Sequence, residues 1–190
     1  YVAILAEELG FERELTEIMS QASLLHDVGK IGVPDEILLK PGKLTPEEFD
    51  IVQTHTNVSE KIFERISEDE WGLVKRHTEV GACILHGAHS SLLEMARQIA
   101  MGHHERWDGE GYPQRLRGEE IPIEARITAV ADAYDALSTR RPYKPAFAID
   151  NCFKIMAEEK GKKFEPRIVD ALIRRRRDVV AVQVELADLG

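Results

Sequence analysis

The sequence predicts an all-α fold, a helical bundle in a single domain that covers residues 1–190. Apolar residues recur at the i, i+3, i+4 spacing of helices along most of the chain, and the strict alternation of a half-buried strand is nearly absent. At 190 residues and 43% hydrophobic content, the chain is long enough for one core and too short for two comfortable ones.

The first predicted helix is already in progress at the start of the chain. Val2, Leu5, Ala6 and Leu9 keep the helical spacing, and no capping residue precedes them. We therefore expect a domain trimmed at its N-terminus from a longer protein.

The other helices follow from the same spacing and from start and stop signals. Thr45 and Glu48 form a capping box, with Pro46 at the first helical position, so a helix begins there. Glycine and proline residues mark loops at 28–43 and 107–121. The predicted helices are 14–27, 45–66, 70–85, 92–105, 122–137, 149–159 and 166–176.

Two neighbouring segments resemble each other position by position. The first copy, EEFDIVQTHTNVSEKIF, covers 47–63, and the second copy, DEWGLVKRHTEVGACIL, covers 69–85. His55 in the first copy corresponds to His77 in the second. Because a solenoid needs three or more units, we interpret the pair as a local duplication.

Charge and composition exclude several classes of partner. A net charge of −9 argues against a nucleic acid polymer, which needs a broad basic surface, but leaves room for a small phosphate ester. Cys83 and Cys152 stand in no metal-binding spacing, which indicates a reducing compartment such as the cytoplasm. No apolar run approaches the ~20 residues that span a membrane.

Histidines and carboxylates interrupt otherwise apolar helices. The pairs His26-Asp27 and His103-His104, with Asp132, mix imidazole and carboxylate groups in a way that suits first-row divalent ions. Adjacent helical residues point about 100° apart, so each pair can serve two neighbouring ions. A lone helical histidine is usually a surface or core residue, and Asp132 has a plain reading as a buried hydrogen-bonding group. The pattern alone therefore suggests a metal site without establishing it.

Three long stretches decide the interpretation: HDVGKIGVPDEILLKPGKLTPEEF, HHERWDGEGYP and ARITAVADAYDALSTRRPYK. They closely resemble the HD-GYP family, a subgroup of the HD-domain phosphohydrolases, and the likeness runs from the first residues to about Val169. The resemblance implies an HD-domain-type helical bundle. It also implies a metal-dependent phosphodiesterase of the bacterial cytoplasm that hydrolyses cyclic di-GMP to linear pGpG, with the further step to GMP left open.

The resemblance implies roles for particular residues. Asp27 matches the bridging carboxylate, and the site would hold two or three divalent ions, iron or manganese. Lys30 would neutralise the scissile phosphate, in a catalytic role beside Asp27. The implied metal ligands are His26, Asp27, His103, His104 and Asp132. The implied substrate-binding residues are Lys30, Arg141, Lys144, Gly111, Tyr112 and Pro113.

In the family, one further histidine ligand lies between the HD pair and the histidine pair along the chain. Because of the duplication, both His55 and His77 are candidates for it. His55 follows His26 at a separation typical of the family. His77 precedes His103 at a separation that is also common in the family, and the preferred Gly81 follows it. Only one of the two is expected to bind metal, with a slight preference for His55. The family's further ligands upstream of Tyr1 are not in this chain.

The resemblance also implies partners, and other functions stay open. The loop that contains Gly111, Tyr112 and Pro113, called the GYP loop below, is a candidate docking site for a diguanylate cyclase domain. A regulatory domain is expected upstream of Tyr1. One alternative is a degenerate domain that senses cyclic di-GMP, or binds a partner protein, without cleaving it. Another is an HD phosphohydrolase for a different cyclic nucleotide.

Overall fold

The structure, a computed structural model, describes residues 1–38, 67–87, 90–139 and 146–188. Within those ranges it is helical throughout, without a strand, which confirms the predicted all-α fold. Two 3-10 turns, Val28–Gly32 and Gly118–Glu120, accompany the helices. The helices are α1 (Val2–Glu8), α2 (Arg13–Ser23), α3 (Asp35–Leu38), α4 (Glu68–Lys75), α5 (His77–Ile84), α6 (Ser91–Gly102), α7 (Ile123–Ser138), α8 (Ile149–Glu158), α9 (Pro166–Arg174) and α10 (Arg176–Asp188).

Helix α7 lies at the centre of the main core. Its Tyr134 is fully buried, contacts the rings of Tyr1 and Phe153, and donates a hydrogen bond to Gln183 of α10 at 3.1 Å. Burial of an aromatic side chain stabilises a fold while its hydroxyl still needs a partner, which Gln183 provides. A second, smaller core joins α2, α5 and α6 through Ala22, Leu85, Ala96, Ile99 and Ala100.

The structure corrects the prediction of one helix over 70–85. Two short helices, α4 and α5, meet at Arg76. Two carbonyl groups at the end of α4 interact with side chains of α5: the Val74 carbonyl with the His77 ring, at 2.6 Å, and the Lys75 carbonyl with the Thr78 hydroxyl, at 3.0 Å. Such side-chain hydrogen bonds compete with the helical pattern.

The sequence predicted that His26-Asp27 and His103-His104 lie inside helices. In the structure both pairs lie just beyond the end of a helix. Helix α2 ends at Ser23, so His26 and Asp27 lie in the turn that follows. Helix α6 ends at Gly102, which places His103 and His104 just beyond it. The orientation of each pair therefore comes from a turn rather than from the 100° rotation of a helix.

A final helix, α10, lies beyond the last predicted one. The arginine run 174–177 leads into it, and the sequence favours a solvated helix face for that run. The run is largely exposed, as predicted, and three of its arginines also pair with carboxylates: Arg174 with Glu8 of α1 at 2.5 Å, Arg175 with Asp178, and Arg176 with Asp150. The run therefore joins the C-terminal helices to α1 and α8.

None of the described helices is long and apolar enough to cross a membrane.

Candidate metal centre

Close backbone packing brings the turn that contains His26, Asp27 and Gly29, called the HD turn below, against the start of α5. A β-carbon on Gly29 would lie 1.8 Å from the His77 carbonyl oxygen and 2.5 Å from the Gly81 nitrogen, distances that no side chain tolerates. A β-carbon on Gly81 would in turn lie 3.3 Å from both the Gly29 nitrogen and the Ala100 side chain. Two glycines thus allow the contact that places His77 beside Asp27.

Imidazole groups from three segments surround the Asp27 carboxylate. Its oxygens lie 3.4 Å from His26 Nε2, 3.5 Å from His77 Nε2 and 3.9 Å from His103 Nε2. Asp132 of α7 completes the group, with Oδ1 3.7 Å from His26 Nε2. The arrangement makes Asp27 the shared carboxylate of the cluster.

The other ring nitrogen of three histidines is held by the backbone. Nδ1 of His26 lies 2.7 Å from the Ser23 carbonyl, and Nδ1 of His77 lies 2.6 Å from that of Val74. Nδ1 of His103 lies 3.0 Å from the carbonyls of Ile99 and Ala100. Because a carbonyl only accepts, Nδ1 carries the proton and Nε2 presents a lone pair to the cluster. This arrangement is typical of histidines that bind metal.

The ring nitrogens of neighbouring histidines are close enough together for two of them to bind the same metal ion. His77 Nε2 and His103 Nε2 are 3.4 Å apart, and one ligand atom each from His77, His103 and His104 lies within 4.8 Å of the others. Two nitrogens that each lie ~2.1 Å from one ion are about 3.0–3.4 Å apart at ordinary coordination angles. The chain therefore has a donor set of the right type and spacing for a divalent metal.

The protonation states are also those that ligands need. Burial lowers the pKa of His77, and burial with the neighbouring His26 lowers that of His103 to about 3. Burial alone would raise the pKa of Asp27, but its contacts with His26 and Lys30 hold it well below its usual range. Neutral imidazoles and an ionised carboxylate all offer lone pairs.

His26 and Asp132 shift in the opposite direction. Burial lowers the pKa of His26, but hydrogen bonding and charge from Asp27, with the charge of Asp132, raise it overall. Burial raises the pKa of Asp132. Each of these two groups therefore holds a proton more readily than usual, and a cation bound between them would oppose protonation of both.

The GYP loop packs directly on this cluster. The Tyr112 ring stacks on the His104 ring with centroids 4.9 Å apart, and Tyr112 N donates to the His104 carbonyl at 3.3 Å. Glycine is required at Gly111, because a β-carbon there would lie 2.3 Å from the Arg106 nitrogen. Tyr112 thus covers one face of a candidate ligand.

Glu105 holds the same loop in place through hydrogen bonds to its backbone, a role that the sequence analysis did not predict. Its buried carboxylate accepts hydrogen bonds from Gln114 N at 2.7 Å and Leu116 N at 3.0 Å. Burial raises the pKa of Glu105, and these backbone donors oppose the rise. In the sequence, only its position directly after His103-His104 hints at this role, and a single glutamate there is equally consistent with a surface residue.

The structure brings together most of the predicted site residues. Lys30 pairs with Asp27, and Pro113 follows Tyr112 in the loop. His55, Arg141 and Lys144 lie outside the described residues, so their roles stay predictions. The residues that meet in the cluster are His26, Asp27, His77, His103, His104 and Asp132.

The position of His77 bears on the choice between the two copies. His77 lies in the cluster and is only 1% exposed, which favours the second copy over the slight preference for His55. The residue equivalent to Gly81 in the first copy is Ser59. A side chain at the Gly81 position meets Gly29 and Ala100, so the second copy fits this contact better.

Comparison with known families gives a consistent result. A family model described as "HD domain" matches residues 1–70 and 63–168, two stretches that overlap near the junction of the two copies. The cyclic di-GMP phosphodiesterase response regulator RpfG of Xanthomonas campestris pv. campestris is 43% identical over 91% of this chain and 40% of its own length. A 3'3'-cGAMP-specific phosphodiesterase 2 of Vibrio cholerae is 37% identical over 99% of this chain and 32% of its own length.

Solved structures share the fold. A cyclic GMP-AMP specific phosphodiesterase of Vibrio cholerae has a TM-score of 0.62 at 17% identity, over 96% of this chain and 44% of that one. Bd1817, an HDG"Y"P protein from Bdellovibrio bacteriovorus, has a TM-score of 0.61 at 21% identity, over 90% of this chain and 49% of that one. The chain spans less than half the length of these curated relatives and solved structures.

Proposed function

Since the chain belongs to the HD-domain family, within its HD-GYP subgroup, we propose that it is a metal-dependent phosphodiesterase that hydrolyses cyclic di-GMP. The observation that carries the proposal is the convergence of Nε2 atoms from His26, His77 and His103 on Asp27. The names of the relatives support the substrate class.

The proposed site holds two or three divalent ions, iron or manganese. Asp27 would hold them together with the neighbouring histidines, since the imidazoles of His26 and His77 approach its two oxygens. When bound, such ions lower the pKa of a water to roughly 7 and polarise a phosphoryl oxygen. A set of imidazoles with few carboxylates favours first-row transition metals over magnesium or calcium.

The residues of the chain would orient the substrate for attack by water. In the proposed hydrolysis, the oxygen of a water molecule bonds to phosphorus and the bond from phosphorus to the 3′-oxygen breaks. The proton that the water loses ends on the 3′-oxygen. The product is linear pGpG, and a second round gives GMP. Lys30, whose ammonium group lies beside Asp27, would stabilise the negative charge that grows on the phosphoryl oxygens. Arg141 and Lys144 would hold substrate phosphates, and the GYP loop would line the pocket.

A second substrate has specific support. One relative of 37% identity is named as specific for 3'3'-cGAMP, a dinucleotide that shares the two phosphates and differs in one base. The degenerate sensor remains the contrasting function. A regulatory domain upstream, docking of a diguanylate cyclase on the GYP loop, and action in the cytoplasm stay predictions.

The test is turnover together with metal content. Protein purified without oxygen and reconstituted with Fe²⁺ or Mn²⁺ is offered cyclic di-GMP and 3'3'-cGAMP, and the products are separated by chromatography. We expect at least two ions per chain and linear product, with both lost in Asp27→Ala and kept in Glu158→Gln, an exposed control on α8. Tight binding of cyclic di-GMP without cleavage by the metal-loaded protein would establish the sensor instead.

A further inference from the structure

Three side chains form a wall beside the metal centre: Trp71 and Lys75 of α4, and Tyr112 of the GYP loop. The Trp71 and Tyr112 rings meet edge to face with centroids 6.0 Å apart. The Lys75 ammonium group lies 5.2 Å from the Trp71 centroid and 5.7 Å from the Tyr112 centroid. Tyr112 itself stacks on His104, so this cation contacts a ring that packs on a candidate ligand.

Lys75 contacts two aromatic rings and is half-buried. Lys30 and Lys160 are paired with Asp27 and Asp170. Lys75, in contrast, has ring faces as its partners and no carboxylate within the part of the chain that the structure describes. The ammonium group of this half-buried lysine is therefore not neutralised by a described carboxylate. Cation–π contacts hold the ammonium group while leaving N–H donors available for an anion.

The substrate supplies such an anion. A cyclic dinucleotide has two phosphates, and hydrolysis brings one of them to the metal centre. We propose that Lys75 binds the other, non-scissile phosphate, with Trp71 and Tyr112 holding its side chain in place. The inference rests on the proposed function and adds a substrate-contacting residue to that site.

A comparison of the two copies gives a second argument for the assignment. When the two copies are aligned, Gln53 corresponds to Lys75 and Phe49 to Trp71, so the first copy lacks the cation. His77, the histidine of the second copy, lies in the cluster, and the same copy contains Lys75. The competing explanation is that Lys75 only stabilises the last turn of α4 through the helix dipole. That role would alter stability and leave substrate binding unchanged.

The experiment compares Lys75→Met, which keeps the stem and removes the charge, with Lys75→Arg, which keeps the charge. Lys154→Met, on the exposed face of α8, is the matched control. Each metal-loaded variant is assayed on cyclic di-GMP and on bis(p-nitrophenyl) phosphate, a diester with one phosphate. Thermal unfolding and metal content are measured alongside.

We expect Lys75→Met to raise KM for cyclic di-GMP about 10- to 200-fold, the loss of one charge-assisted hydrogen bond, with metal content unchanged. The loss on the one-phosphate diester should be far smaller, and Lys75→Arg should recover most of the affinity. An equal loss on both diesters, or a lower melting temperature with normal KM, would overturn the inference. If the wild type cleaves the simple diester and no cyclic dinucleotide, the proposed function fails instead.

Discussion

The backbone of Gly29 lies against the carbonyl group of His77, so close that a β-carbon on Gly29 would be 1.8 Å from the carbonyl oxygen. This contact joins the HD turn, with its Asp27 carboxylate, to the helix that begins with a candidate histidine ligand. The geometry of the metal centre therefore depends on the absence of a side chain at Gly29.

Gly29→Ala should separate the HD turn from α5 and weaken metal binding. We expect a loss of roughly 10-fold or more in metal affinity, because the clash is with backbone atoms that cannot rotate away. Titration with Mn²⁺ and thermal unfolding measure the effect. Gly72→Ala in α4 is the control, since a β-carbon there meets nothing within 4 Å. It should stabilise α4 by about 0.5–1 kcal/mol through helix propensity. Normal metal affinity in Gly29→Ala would contradict the role given to this contact.

His77→Ala should lose metal while His55→Ala keeps it. His77 Nε2 lies 3.4 Å from His103 Nε2 and 3.5 Å from Asp27, so its removal deletes a donor from the centre of the cluster. Metal content after reconstitution and hydrolysis of cyclic di-GMP are measured for both variants. The reverse result would restore the preference that the spacing from His26 had suggested.

Lys30→Ala should lower kcat more than it raises KM, whereas Arg141→Ala and Lys144→Ala should act mainly on KM. Lys30 lies beside Asp27, where charge develops during attack on phosphorus. Each loss should cost roughly 10- to 200-fold in kcat/KM, and none should reduce metal content, because protonated Lys and Arg offer no lone pair. Wild-type kinetics in all three variants would remove these cations from the site.

Glu105→Gln should loosen the GYP loop without removing a ligand. The amide puts an N–H group where the carboxylate accepts from Gln114 N or Leu116 N, leaving one buried donor opposed by another. We expect a loss of about 1–3 kcal/mol in the free energy of unfolding, a higher KM and retained metal. Glu110→Gln, exposed in the same loop, should match the wild type. If Glu105→Gln matches it too, the carboxylate does not position Tyr112.

The sequence by itself determined the fold class and pointed to most of the residues that meet in the cluster. Helical periodicity depends on local spacing, so the helices over 122–137 and 149–159 appear in the structure within about one residue of their predicted ends. His26, Asp27, His103, His104 and Asp132 were recognisable from their motifs, which keep a fixed order along the chain. The single helix predicted over 70–85 and the end of the last helix at 176 were wrong, because side-chain hydrogen bonds and ion pairs decide those boundaries.

Only the tertiary structure decided which atoms meet. Motif spacing left the equivalent histidines of the two copies as alternatives, and the close approach of Gly29 to α5 favours His77 because Gly81 leaves the space that the contact needs. The same holds for Lys75, which looks like an ordinary surface lysine in the sequence. Its place over Trp71 and Tyr112 arises when α4 and the GYP loop, far apart along the chain, pack around the same histidine cluster.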